Sequence, residues 1–180
     1  KILNGYEETD FSHVNCYNNI VNNLNIKNGD KVLEVGCGAG FFSKLFSKDY
    51  DYFGIDYSNS LVMKNIKINN TKIINCSANN LPFKDKYFDY TFSVGVFEYF
   101  PSKEYTNQCL QELMRVSKKG IYIVNIRSQT HSQKKNKHKY DGLFHHLIYQ
   151  PNDFSILGDF KLIDSTYEPN NRFSILKLIN

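Results

Sequence analysis

Apolar positions along the chain change period several times, and each change marks an element. From Phe11 to Leu24, the residues Val14, Tyr17, Ile20, Val21 and Leu24 recur at the spacing of one helical face. That pattern predicts an amphipathic helix, capped by Asp10 or Ser12. Lys31-Val-Leu-Glu-Val35 is a short apolar run stopped by glycines, which predicts a buried strand. A helix over 39–48 follows, with Phe42, Leu45 and Phe46 as its inner face. The alternation continues with a strand over 52–55, a helix over 58–69, strands over 72–76 and 87–94, a helix over 102–116 and a strand over 120–126. Strands that alternate with helices over short links require crossover connections, so the sheet is expected to be mostly parallel and covered on both faces.

Late in the chain the pattern changes. Residues 127–140 are polar and basic, long for a connection in a compact domain, and read as a loop or lid. Pro151–Leu157 reads as a short helix, and 160–167 and Arg172–Leu178 as two strands joined across 168–171. The expected fold is therefore α/β: a doubly wound, mostly parallel seven-stranded sheet with a C-terminal antiparallel hairpin and helices on both faces. One domain is expected, with a covering helix in 1–30, a core in 31–126, a variable loop in 127–150 and a terminal helix and hairpin in 151–180.

Composition narrows the partners. The 180 residues carry 22 Lys plus Arg against 18 Asp plus Glu, a net charge of +4. Its local peak is Lys134, Lys135, Lys137 and Lys139, and the remainder is nearly balanced. A groove for nucleic acid normally shows a larger basic excess, so nucleic acid is not favoured as the main partner, whereas a small acidic metabolite is allowed. Cys16, Cys37, Cys76 and Cys109 stand too far apart for a zinc or dithiol motif, which points to a reducing cytoplasm and no metal. His145-His146 supplies no further ligand spacing. With no apolar run near membrane length, nothing is expected to span a bilayer.

The strongest chemical signal is Val32-Leu-Glu-Val-Gly-Cys-Gly-Ala-Gly40, a strand feeding a glycine loop that opens a helix. Glycines there admit positive φ and let backbone come close to a ligand. The dinucleotide fingerprint Gly-x-Gly-x-x-Gly is not met, because Phe41 stands at its last position, and this disfavours a nicotinamide oxidoreductase. Phe53-Gly-Ile-Asp56 ends the next strand in a carboxylate, which reads either as a ribose ligand or as a cap for the helix near Ser58.

These blocks resemble class I S-adenosylmethionine-dependent methyltransferases. Glu-Val-Gly-Cys-Gly-Ala-Gly is similar to their first motif, Cys76-Ser-Ala-Asn-Asn-Leu-Pro-Phe83 with Tyr87-Phe-Asp89 to a later one, and Leu113-Met-Arg-Val116 with Lys118-Lys-Gly120 to the helix and turn before the fifth strand. The resemblance implies S-adenosylmethionine as cofactor, with S-adenosylhomocysteine as product. It implies that Glu34 and the loop of Gly36, Cys37, Gly38 and Gly40 approach the methionine half, that Asp56 holds the ribose and that Tyr57 packs on the adenine. Ser77 and Ala78 match the adenine-contacting pair, with Ser77 in place of the family's usual Asp. Ser93, Val94 and Gly95 match the strand end whose carbonyls meet the cofactor's amino group.

Methyl transfer needs a positioned acceptor and, for a hydroxyl, a base. Glu98, Tyr99, His13, Tyr17, His145 and His146 are the candidates for the acceptor side. The lining is rich in Tyr, His, Lys and Asn, so the expected reaction is O-methylation of a small polar, anionic or sugar-like acceptor. The alternatives are N-methylation of a small amine and a non-catalytic cofactor-binding module or partner subunit.

Overall fold

The computed structural model describes residues 11–128, 146–164 and 172–179, with side chains from Val14 onward. Four helices, α1 (Phe11–Leu24), α2 (Phe41–Phe46), α3 (Asn59–Asn69) and α4 (Lys103–Val116), accompany seven strands. The strands are β1 (Lys31–Val35), β2 (Asp51–Asp56), β3 (Lys72–Asn75), β4 (Phe88–Val94), β5 (Ser117–Arg127), β6 (Lys161–Asp164) and β7 (Arg172–Leu178), in the spatial order β3-β2-β1-β4-β5-β7-β6. The first five run parallel, and β7 joins β5 and β6 antiparallel. This is the expected doubly wound sheet with a terminal hairpin. Residues 165–171, which include the predicted turn, lie outside the described residues, as do Asp10 and most of the predicted lid with its lysines Lys134 to Lys139.

Successive side chains on a strand point to opposite faces, and the central strands are buried on both. Leu33, Val35, Ile121 and Ile123 meet Leu110 and Leu113 of α4 and Phe154 of the 3-10 helix Pro151–Leu157. Val32, Phe92, Tyr122 and Val124 meet Cys16, Ile20 and Leu24 of α1 and Phe42 and Phe46 of α2 on the other face. Val14, expected inside, is 46% exposed, and Cys16 takes its place in the core.

Two boundaries differ from the pattern. Helix α2 begins only at Phe41, because Gly40 before it is left-handed at φ 94° and the glycine loop extends that far. Strand β5 begins at Ser117, directly after α4, so Lys118-Lys-Gly120 is strand rather than turn. Lys119 there is held 2.7 Å from Asp30 and 3.1 Å from Asp89, which gives a polar pair of residues a reason to run extended at the bottom of the sheet.

The order of strands places a site. From β1 the chain winds one way through β2 to β3, then returns to the other side of β1 with β4 and β5. The loops after β1 and β4 therefore diverge and leave a crevice at the carboxyl ends of these strands. Among the described residues, no helix is long and apolar enough to cross a membrane.

Candidate functional site

The β2–β1 side of the crevice is built from backbone. Gly36, Gly38 and Gly40 have φ of 81°, 50° and 94°, a region costly for other residues. A Cβ on Gly36 would stand 2.4 Å from Val96 Cγ2, and one on Gly40 would stand 2.1 Å from Asn65 Oδ1, so both also serve close approach. At the end of β2, Asp56 is 7% exposed and accepts from the backbone N–H of Gly38 through Oδ2 and of Ser58 through Oδ1, each at 2.9 Å. Ser58, not Asp56, is the N-cap of α3, and Asp56 holds the Ser58 N–H while each of its oxygens retains a lone pair for a hydroxyl donor. Tyr57 follows with 81% exposure, an uncovered ring beside that carboxylate. Ser77 is exposed and Ala78 buried, with the Ala78 N–H donating to Tyr105 Oη at 3.1 Å. A fixed carboxylate, a glycine cradle and an open aromatic ring suit a group carrying a ribose and a purine.

Glu34 lies deeper than the resemblance implies. It is 3% exposed and forms the end of a one-way hydrogen-bond chain: Asn65 Nδ2 donates to Ser43 Oγ, Ser43 to Tyr52 Oη, and Tyr52 to Glu34 Oε2. Asn65 also reaches Gly38 O at 3.3 Å, while Asn69 Nδ2 holds Gly40 O at 2.9 Å. Helix α3 therefore clamps the loop from behind, and Glu34 anchors the clamp. Burial raises the Glu34 carboxyl to about 8, opposed by the Tyr52 hydrogen bond, and the same burial pushes the Cys37 thiol up. Because this carboxyl is protonated more readily when folded, its stabilising contribution is complete below about pH 4 and is lost as pH rises through the folded value. The neutral isostere Glu34→Gln should accordingly gain melting temperature on wild type between about pH 5 and about pH 8. A difference that does not change with pH would refute this.

The β4–β5–β7 side carries charge. Glu98, in the 3-10 helix Phe97–Tyr99 after β4, is 4% exposed, and its Oε2 accepts from Arg127 Nε at 3.0 Å and Arg172 Nη1 at 2.8 Å. Arg127 ends β5 and Arg172 starts the antiparallel β7, so their register pairing brings both to this edge. Arg127 Nη1 lies 2.9 Å from His146 Nδ1, and the His146 ring meets Tyr99 edge-on at 4.8 Å. Burial and the Arg127 charge hold the His146 imidazolium below its ordinary range, with Glu98 opposing. The structure thus brings together Glu98, Tyr99 and His146 of the sequence candidates.

Tyr17 is elsewhere: its ring packs on Phe46 and its hydroxyl donates to Asp49 Oδ2 at 3.3 Å, at the amino end of the strands, which corrects its placement on the acceptor side. The His13 side chain and His145 lie outside the described residues. Ser93 is fully buried near the end of β4, and its Oγ has no hydrogen-bond partner among the described residues, while Val94 is half-buried. Three His, Cys, Asp or Glu residues do not cluster as a metal set anywhere among the described residues.

Arg127 and Arg172 were not singled out by the motif pattern. One signal was available: the chain has only three arginines among 22 basic residues, and the third, Arg115, makes a similarly multidentate set with Glu112, Asp85 and backbone carbonyls. In so lysine-rich a chain, arginine marks places where a forked donor is needed.

A family profile described as "Methyltransferase domain" matches residues 33–124. The tRNA (carboxymethyluridine(34)-5-O)-methyltransferase alkbh8 of Xenopus tropicalis is 34% identical over 116 residues, covering 62% of this chain and 18% of that protein. Demethylmenaquinone methyltransferase of Staphylococcus saprophyticus is 31% identical over 121 residues, covering 61% of this chain and 49% of that one. The chain thus spans from about a fifth to about half of these relatives. Among solved structures, magnesium protoporphyrin IX methyltransferase of Synechocystis PCC 6803 with bound SAH superposes with a TM-score of 0.71 at 17% identity, covering 98% of this chain and 90% of that one. The tRNA relative corrects the expectation that nucleic acid is disfavoured: balanced charge over one domain does not exclude such an acceptor when a relative with the same core is named for one.

Proposed function

The chain belongs to the methyltransferase-domain family, whose matched segment takes in half of its residues, and from that premise we propose that it transfers a methyl group from S-adenosylmethionine to an oxygen of a polar acceptor. The observation that carries the reading is the division of one crevice into two halves. A glycine cradle with Asp56 stands on the β2–β1 side, and a desolvated Glu98–Arg127–Arg172–His146 cluster stands on the β4–β5–β7 side. When bound, S-adenosylmethionine supplies a methyl on a sulfonium, already activated. The protein's share is position: Asp56 receives the ribose hydroxyls, Tyr57 covers the purine, and the polar cluster orients the acceptor. The Xenopus relative is named for transfer to oxygen on a carboxymethyluridine, which supports an oxygen target and admits an acceptor either free or within RNA. The four free cysteines agree with a cytoplasmic setting.

Calorimetric titration with S-adenosylmethionine, S-adenosylhomocysteine and NADH tests the donor half. Micromolar binding of both sulfur ligands and none of NADH is expected, with Asp56→Ala at least tenfold weaker, about 1.4 kcal/mol. Binding of NADH, or an Asp56→Ala protein that is folded and binds normally, would overturn the assignment.

A further inference from the structure

Guanidinium has no acceptor atom, so the 2.9 Å contact between Arg127 Nη1 and His146 Nδ1 has one sense: Arg127 donates and Nδ1 accepts. A neutral ring whose Nδ1 lone pair is occupied carries its proton on Nε2. His146 is therefore built as a hydrogen-bond donor, and neither ring nitrogen has a lone pair available to take a proton from an acceptor hydroxyl. The lowered proton affinity of the ring, set by its burial and by Arg127, agrees with a neutral imidazole at neutral pH; Arg172 acts in the same sense, Glu98 in the opposite one, and Tyr99 packs on its edge.

Glu98, a second candidate in the same cluster, is committed elsewhere. Its Oε2 is shared by Arg127 and Arg172. Its backbone carbonyl accepts from Leu147 N–H at 2.8 Å, which ties the segment carrying His146 to the end of β4. With the bond from Tyr149 N–H to Arg127 O, this fixes the imidazole over the cluster. Arg127 is left with a forked nitrogen to spare: its Nη2 has no partner among the described residues, and its side chain is 19% exposed.

We propose that the acceptor presents a carboxylate, already anionic, which Arg127 Nη2 and His146 Nε2–H receive and orient. The inference rests on the methyltransferase reading above and deepens it to a substrate class. In the step it implies, a lone pair of one carboxylate oxygen forms the new O–C bond to the methyl carbon. The S–C bond breaks, its electron pair stays on sulfur, and the products are a methyl ester and a neutral thioether. No proton moves, so no base is required. Glu98 acts as a positioning residue that holds the two guanidiniums.

The test uses the full chain saturated with S-adenosylhomocysteine, labelled with nitrogen-15 in His and Arg. Phenylacetate and its neutral isostere phenylacetamide serve as probes of free carboxylate chemistry, and a short RNA stem-loop with and without a 5-carboxymethyl group on one uridine probes the same chemistry within RNA. The His146 resonance, assigned by its loss in His146→Gln, is expected to report the Nε2–H tautomer at neutral pH. It and the Arg127 signals are expected to shift with the carboxylate member of at least one pair and not with the neutral member, and Arg127→Gln should weaken that binding at least tenfold. Which pair responds separates a free acceptor from one in RNA. A proton on Nδ1, equal response to carboxylate and neutral partner, or no response to either pair would overturn the proposal. Failure of S-adenosylhomocysteine to bind at the outset would instead overturn the methyltransferase reading itself.

Discussion

Glu98→Ala is expected to lower the melting temperature by about 6–20 °C. The carboxylate side chain is 5% exposed and faces two guanidiniums that are themselves 19% and 11% exposed, so its removal leaves two desolvated positive charges side by side. Loss of one partner from a buried pair typically costs about 3–5 kcal/mol, and a domain of this size loses about 2–4 °C per kcal/mol. Glu98→Gln retains an acceptor of the same shape but no charge, and is expected to fall between wild type and Glu98→Ala. Adding Arg172→Met to Glu98→Ala removes one of the stranded charges and should recover part of the loss, a coupling that a double-mutant cycle reads directly. Thermal unfolding of wild type, Glu98→Ala, Glu98→Gln, Arg172→Met and the double variant decides the matter; a Glu98→Ala protein within about 2 °C of wild type would show that the cluster is solvated and energetically idle.

Gly40→Ala is expected to damage both stability and cofactor binding. Two costs combine there. A left-handed backbone at φ 94° costs an L-residue about 1–2 kcal/mol, and the new methyl would displace the Asn65 and Asn69 amides that clamp the loop. A displaced buried amide adds about 1–3 kcal/mol. Gly29→Ala separates the two, since Gly29 has φ 87° but nothing within 4 Å of its added Cβ. The expected result is a loss of about 1–2 kcal/mol for Gly29→Ala with normal affinity for S-adenosylhomocysteine. Gly40→Ala should lose about 3 kcal/mol or more and at least tenfold in affinity. Equal losses in the two variants, read by urea unfolding and calorimetry, would mean that the close approach of α3 to the loop contributes nothing.

Most strands and helices were legible because their signal is local. The run at Lys31–Val35 is short, buried and closed by glycines, Phe88–Val94 alternates Phe88, Tyr90, Phe92 and Val94 with Asp89, Thr91 and Ser93, and α4 shows its inner face in Cys109, Leu110, Leu113 and Val116. Where the pattern misled, a tertiary partner had intervened. The resemblance places a turn at Lys118-Lys-Gly120, yet Asp30 and Asp89 draw the two lysines onto the lower edge of the sheet and the strand begins at Ser117. Val14 and Cys16 differ too little in hydrophobicity for the period to choose between them, and packing of α1 on β5 and β7 chose Cys16. Tyr17 has the spacing of an inner residue, but its rotation about α1 aims it at Phe46 and Asp49 rather than at the crevice.

By itself, the sequence determined the glycine loop and Asp56, the half of the crevice proposed for the donor. The glycine loop and Asp56 lie within about 20 residues of each other and adjoin consecutive parallel strands, with the Asp56 carboxylate bonded to the loop's own backbone at Gly38, so their spacing in the chain carries over into space. Only the tertiary structure decided the cluster proposed to face the acceptor. Arg127 and Glu98 are 29 positions apart and Arg172 and Glu98 are 74 apart, and the antiparallel register of β5 with β7 sets the arginines opposite each other. Ion pairs have no periodicity along a chain. Whether a carboxylate is a base or an anchor depends on which charges the fold places against it once water has been removed.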